Sequence, residues 1–102
     1  MKQVTAASVA GRPGEEPPVQ AELVRLLRLR IQELGLTQTQ AAARMGLKQP
    51  NVSKLMDERH AGFSVERLLR FLCALDLDAE IRLIPKPARA RRAGKLTVVS
   101  EN

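Results

Sequence analysis

Three backbone signals fall close together in the middle of this chain and fix what it can become. Thr37 is followed three residues later by Gln40, then come Gly46 and Pro50. Thr-x-x-Gln is a capping box, in which hydroxyl and amide satisfy each other's unpaired backbone N–H groups, so a helix starts at Thr37. Leu36 and Ala41 stand where a hydrophobic staple would hold that start. Gly46 stops the helix, because a tight turn needs a residue free to take positive φ. Pro50 is tolerated only in the first turn of a helix, where N–H groups lack partners anyway. A further helix is therefore expected over residues 49–57, with Val52, Leu55 and Met56 facing inward. The reading is two short helices joined by a tight turn.

The flanks supply something to pack against. Leu23, Leu26, Leu27, Ile31 and Leu34 recur at helical spacing after the Pro17-Pro18 pair, so a first helix begins near Val19 or Gln20 and ends at Gly35. Arg25, Arg28 and Arg30 lie mostly off its apolar face and are expected to meet solvent or phosphate. Ser64 caps a fourth helix, with Glu66 in its first turn and Phe63 placed to staple onto Leu68. Its core face is Val65, Leu68, Leu69, Leu72 and Leu75, and it should end near Leu75 or Asp76. The period then changes: Ala79, Ile81 and Leu83 alternate with Glu80 and Arg82, which predicts a strand ended by Pro85 and Pro87. A second strand is expected over residues 96–99. The 79–84 strand is too short to stand alone, and pairs either with 96–99 or across a two-fold axis with another chain.

These elements divide the chain into a flexible arm over residues 1–18, a helical domain over 19–77 and a strand-bearing basic tail over 78–102. At 102 residues there is room for one small domain. The fold class is mostly α, with four to five helices and a short C-terminal strand or strand pair. With no Trp, no Tyr and two Phe, aliphatic side chains must fill the core.

Composition narrows the function. The net charge is +6, and the last eighteen residues alone carry +4. Such a balance suits a polyanionic partner, although excess Lys and Arg also serves solubility. Cys73 is the only cysteine and His60 the only histidine. No intrachain disulfide is possible, no metal-ligand spacing exists, and no base stands in helical register with the thiol. Cys73 is expected to be a small buried hydrophobe. An enzyme is not expected, nor is a cofactor. No signal peptide or membrane span is evident, so a cytoplasmic protein is the expectation.

The helix pair itself carries the chemistry. Ala42, Gly46 and Val52 meet its internal demands: a small residue lets the helices approach, glycine makes the turn, and valine plugs the gap. Gln49, Asn51, Ser53 and Lys54 are left without a packing role, and these side chain types suit base edges and phosphates. No acidic residue occurs between Leu34 and Asp57, whereas Arg44, Lys48 and Lys54 fall in that stretch. A helix pair of this kind places side chains in the DNA major groove.

The segment Leu36-Thr37-Gln38, Ala41-Ala42, Met45-Gly46 and Gln49-Pro50-Asn51-Val52-Ser53 resembles the helix-turn-helix of the XRE (Cro and phage-repressor-like) regulators. Further matches at Gly62-Phe63-Ser64, Glu66-Arg67-Leu68, Phe71-Leu72, Glu80-Ile81 and Lys95-Leu96-Thr97-Val98-Val99 resemble a HigA-like antitoxin subgroup. The resemblance implies a repressor-like fold and a homodimer on a palindromic operator in double-stranded DNA. It also implies autoregulation and neutralisation of a RelE/HigB-like toxin. It places Gln38 against phosphate and as a brace for Gln49. Lys48 stands where the family often carries a capping Ser, so the recognition helix loses a cap and gains a phosphate contact. Thr37, Arg89, Arg91 and Arg92 are further candidate phosphate contacts. The arginine run could instead enter a minor groove, meet an acidic partner or be a soluble tail. Two other functions stay open: a stand-alone XRE-type regulator of host or prophage, and a protein-interaction module.

Overall fold

The computed structural model describes residues 3–8, 19–57 and 62–101, with side chains described from Val19 onward. In chain order the elements are β1 (Gln3–Ser8), α1 (Val19–Glu33), α2 (Gln38–Met45), α3 (Gln49–Met56), α4 (Val65–Ala74) and β2 (Thr97–Glu101). The fold is mostly α, with four helices among the described residues and a short C-terminal strand. His60 lies outside the described residues.

The four helices share one aliphatic core. α1 contributes Leu23, Val24, Leu27 and Ile31, α2 contributes Ala41, Ala42 and Met45, and α3 contributes Val52 and Leu55. α4 adds Leu68, Phe71 and Leu72, with Leu75 just beyond its end. Val24 and Phe71 widen the faces that spacing alone defined. Leu27, Leu68 and Leu75 are essentially inaccessible, and burying each side chain contributes about 2 kcal/mol. At the start of α4 the Ser64 hydroxyl accepts from the Arg67 N–H at 3.1 Å. The half-buried Phe63 ring meets Phe71 edge-to-face, with centroids 5.8 Å apart, and the Arg67 guanidinium lies over both rings.

Three of the helices end in the same way. After α1 the N–H of Leu36 donates to the Ile31 carbonyl and that of Gly35 to Gln32, both at 3.0 Å. After α4 the N–H of Leu77 donates to Leu72 and that of Asp76 to Cys73. α2 closes likewise, with Leu47 donating to Ala42. Each is a left-handed cap in which a hydrophobic residue folds back over the last turn. Glycine takes positive φ at the ends of α1 and α2, but Asp76 takes it at the end of α4, at 67°. That conformation costs an L-residue about 1 kcal/mol or more.

Two arginines offset the cost. The Arg30 Nε donates to the Leu75 carbonyl at 2.8 Å. The Arg44 guanidinium donates to the Ala74 carbonyl at 3.0 Å and meets the Asp76 carboxylate at 2.8 Å. Cations on the last carbonyls of a helix also complement its dipole. The Arg44 hydrogen bond and then its charge, with a smaller contribution from Arg30, hold the Asp76 carboxyl below its usual pKa of 3.8. Arg30 is thus a brace for α4 rather than a side chain facing solvent or phosphate.

Two further expectations are corrected. Cys73 is exposed, because Leu68, Phe71, Leu72 and Leu75 define the inward stripe of α4 and residue 73 turns away from it. Residues 79–84 form no strand and are exposed throughout. β2 pairs instead with β1, part of the segment read as a flexible arm. The pairing is antiparallel, running from Gln3 opposite Glu101 to Ser8 opposite Thr97, with an irregularity between Thr5 and Ala7. The two strands are anchored where half-buried Val98 packs against the core and β2 lies against α1.

Candidate nucleic-acid interface

The helix pair is built by the signals that predicted it. The Thr37 hydroxyl accepts from the Gln40 N–H at 3.1 Å, and the Gln40 side chain accepts from the Thr37 N–H at 2.9 Å. This box fixes the first turn of α2 and with it the position of Gln38. Gly46 turns the chain at φ 69°, and its N–H joins that of Leu47 on the Ala42 carbonyl. Lys48 then takes the extended conformation that precedes a helix, with no side-chain cap. Ala41 and Val52 are fully buried and Ala42 nearly so, which lets α3 lie close against α2.

With Val52 and Leu55 committed inward, α3 turns a polar face outward. Gln49 and Lys54 are exposed, as is Lys48 before them, while Asn51 and Ser53 are half-buried. Gln38 reaches this face from α2. Its Oε1 accepts from the Gln49 Nε2 at 2.7 Å and from the Ser53 hydroxyl at 2.7 Å. Gln49 Nε2 also donates to the Ser53 hydroxyl oxygen at 3.0 Å. The three side chains form a closed ring of hydrogen bonds across the two helices, so the expected brace between Gln38 and Gln49 is present and extends to Ser53.

The ring leaves a defined set of free groups. The Gln49 amide nitrogen is thus held by two acceptors on the protein side, Gln38 and Ser53. The Gln49 Oε1 accepts no bond among the described residues, and the side chain is exposed. Gln38 is the reverse: its oxygen is occupied and its NH2 is free. One end of the ring can therefore donate to a phosphate oxygen while the other can accept from a base.

The remaining candidates divide. Thr37 is exposed, and its oxygen serves the capping box. Arg44, counted in the acid-free stretch, is turned away to α4 by its bonds to Ala74 and Asp76. Arg89, Arg91 and Arg92 lie in an exposed irregular segment after α4 rather than on the helix pair. Reading the sequence missed the Arg44 clamp, whose partners lie some thirty residues away. Among the described residues no group of His, Cys, Asp and Glu could hold a metal ion, and no helix is long and apolar enough to cross a membrane.

The comparisons agree with this geometry. A family model described as a helix-turn-helix domain matches residues 12–84. A solved structure described as an XRE family transcriptional regulator is similar to this chain with a TM-score of 0.71 and 46% sequence identity. The match covers 78% of this chain and 88% of that one. No curated protein matches. A helix pair with a small-residue seam, a glycine turn and an outward polar face thus coincides with both family and fold: the chain belongs to the XRE helix-turn-helix family of DNA-binding transcriptional regulators.

Proposed function

We propose that this regulator is a sequence-specific repressor that binds a palindromic operator as a homodimer, with α3 in the major groove. The ring of Gln38, Gln49 and Ser53 carries this reading. It holds two α3 side chains in fixed orientation on a face that no core residue uses, and no carboxylate lies between Leu34 and Asp57 to repel phosphate. Gln49, Asn51 and Ser53 read bases, while Gln38, Thr37, Lys48 and Lys54 contact phosphate. Changing Gln49 and Asn51 together to Ala should cost about 1–3 kcal/mol per base contact on the selected operator. Equal binding by parent and variant would remove α3 as the reader.

Dimerisation is supported by residues 79–84. Ile81, Leu83 and Ile84 are 79%, 91% and 78% exposed, a large apolar display in a segment with strand periodicity. Two copies paired antiparallel about Ile81 would set Glu80 of each opposite Arg82 of the other, and Ala79 opposite Leu83. Opposite charges directly across a strand pair stabilise it, and like charges do the reverse. Glu80→Arg should therefore give a monomer in sedimentation, and Glu80→Arg with Arg82→Glu should restore the dimer. A double variant that stays monomeric overturns this register.

The finer reading is that the repressor is the antitoxin of a type II toxin–antitoxin pair, autoregulating its operon and neutralising a RelE/HigB-like toxin. The similarity of residues 62–99 to the antitoxin subgroup supports it. Copurification with the product of an adjacent small reading frame, and relief of that product's toxicity, tests it. A chain that binds its promoter but protects against no neighbour is the stand-alone regulator instead.

A further inference from the structure

We infer that residues 85–95 are a second DNA-binding element, an arginine arm that enters an A·T-rich minor groove flanking the half-site read by α3. The inference rests on the DNA-binding reading above and concerns a segment beyond the family match, which ends at residue 84.

The segment is built for a narrow polyanionic cleft. From Ile81 to Ser100 there is no acidic residue, while Lys86, Arg89, Arg91, Arg92 and Lys95 follow one another. Among the described residues none of these five cations pairs with a carboxylate. All five are exposed. Their few contacts are to backbone carbonyls of the same segment, from Lys86 to Ala90 and from Arg92 to Ala93. Arg25 and Arg70, exposed on α1 and α4, are by contrast each paired with a glutamate on their own helix.

The shape argues for the minor groove. The positions between the cations from 88 to 94 are Ala88, Ala90, Ala93 and Gly94, so nothing bulkier than a methyl group accompanies the arginines. Pro85 and Pro87 bias the entry toward an extended path. The segment has no regular structure beyond a turn closed by one hydrogen bond, from the Ala90 N–H to the Pro87 carbonyl. A groove about 6 Å wide admits such a slender chain and not a helix. Narrow A·T tracts concentrate negative potential and draw inserted arginine.

Reach is sufficient. The path between the clamped terminus of α4 at Asp76 and β2 on α1 is twenty residues long, residues 77–96, and the arm is its second part. Twelve residues from 85 to 96 span about 40 Å when extended, so the tip can stand roughly 20 Å from β2. That is comparable with the 18 Å thinnest dimension of the fold. Tethering at both ends also keeps the arm at high effective concentration beside a duplex held by α3.

The test uses the full chain and duplexes sharing one selected half-site pair but differing in their flanks, A·T tracts against G·C tracts. The parent should prefer A·T flanks by about tenfold. Arg89→Ala/Arg91→Ala/Arg92→Ala should abolish that preference and lower the slope of log K against log salt by about 2 to 3. It should leave discrimination between selected and scrambled half-sites unchanged. Distamycin should compete with the parent and not with the triple variant. A lowered slope without flank preference would mean that the arm tracks phosphates only, and overturns the minor-groove assignment. No change in either would mean that the arm does not touch DNA and is left for an acidic protein partner. Failure of the parent itself to discriminate half-sites would sink the α3 reading, a result separate from both.

Discussion

Replacing Gln38 with Ala removes a side chain that has no core role and touches α3 through two 2.7 Å hydrogen bonds. Without it, Gln49 keeps only its bond to Ser53 and must be ordered when DNA binds. Fixing one such side chain costs about 0.5–1.5 kcal/mol, so a loss near 1 kcal/mol, roughly fivefold in Kd, is expected on the selected operator. Gln49→Ala alone should cost about 1–3 kcal/mol. The informative variant is the double one. If Gln38 acts through Gln49 besides contacting phosphate, removing both should cost about 1 kcal/mol less than the sum of the single losses, a coupling between neighbours. A second readout concerns base preference. In the parent the Gln49 amide nitrogen is turned to Gln38 and Ser53, so a base that brings a donor, as adenine N6 or cytosine N4 does in the major groove, is favoured at the facing position. Gln38→Ala loosens the hold on that nitrogen and should weaken the preference against guanine or thymine at that position. Fluorescence anisotropy on duplexes varied at one base pair, at constant salt, measures both effects. Additive losses in the double variant, with unchanged base preference in Gln38→Ala, would refute the reasoning.

Other outcomes follow from the fold. Gly46→Ala places a Cβ that meets nothing within 4 Å, so it should cost only the left-handed backbone penalty, about 1 kcal/mol in urea unfolding; Gly46→Asn should cost less, and equal losses would deny the backbone origin. Asp76 has a folded pKa below 3.8, so its contribution is fully present above that value and is lost as pH falls through the lower folded value. The parent's Tm should therefore drop more than that of Asp76→Asn between about pH 4 and pH 2, and parallel curves would remove the Arg44 pair from the account. Exposed Cys73 should react with a maleimide in the folded protein at the rate of an unfolded control; strong protection would contradict its outward placement.

The helix pair was legible because its determinants are local. A capping box, a glycine stop and a first-turn proline act on backbone groups within a few residues, and all three stand where the sequence put them. The small seam at Ala42 and Val52 was legible for the same reason. The strands were not. Residues 79–84 carry the alternation of a strand but find no partner within the described chain, whereas β2 pairs with Gln3–Ser8 from the far end of the sequence. Periodicity records which side chains alternate and says nothing of which segment supplies the hydrogen bonds. Arg30 and Arg44 read as surface charge because their acceptors are main-chain carbonyls, which every residue has and no sequence pattern marks.

The cap on α4 has a consequence for how the two halves of the chain are referenced to each other. Where α1 and α2 end on glycine, α4 ends on Asp76, held by one guanidinium from α1 and another from α2. The direction in which the chain departs toward residues 79–84 is thus referenced to α1 and to α2, the helix that braces α3. The junction works as a protractor: it fixes an angle between whatever that departing segment joins and the face that Gln38 organises. In a symmetric pair, that angle sets the separation of the two reading faces.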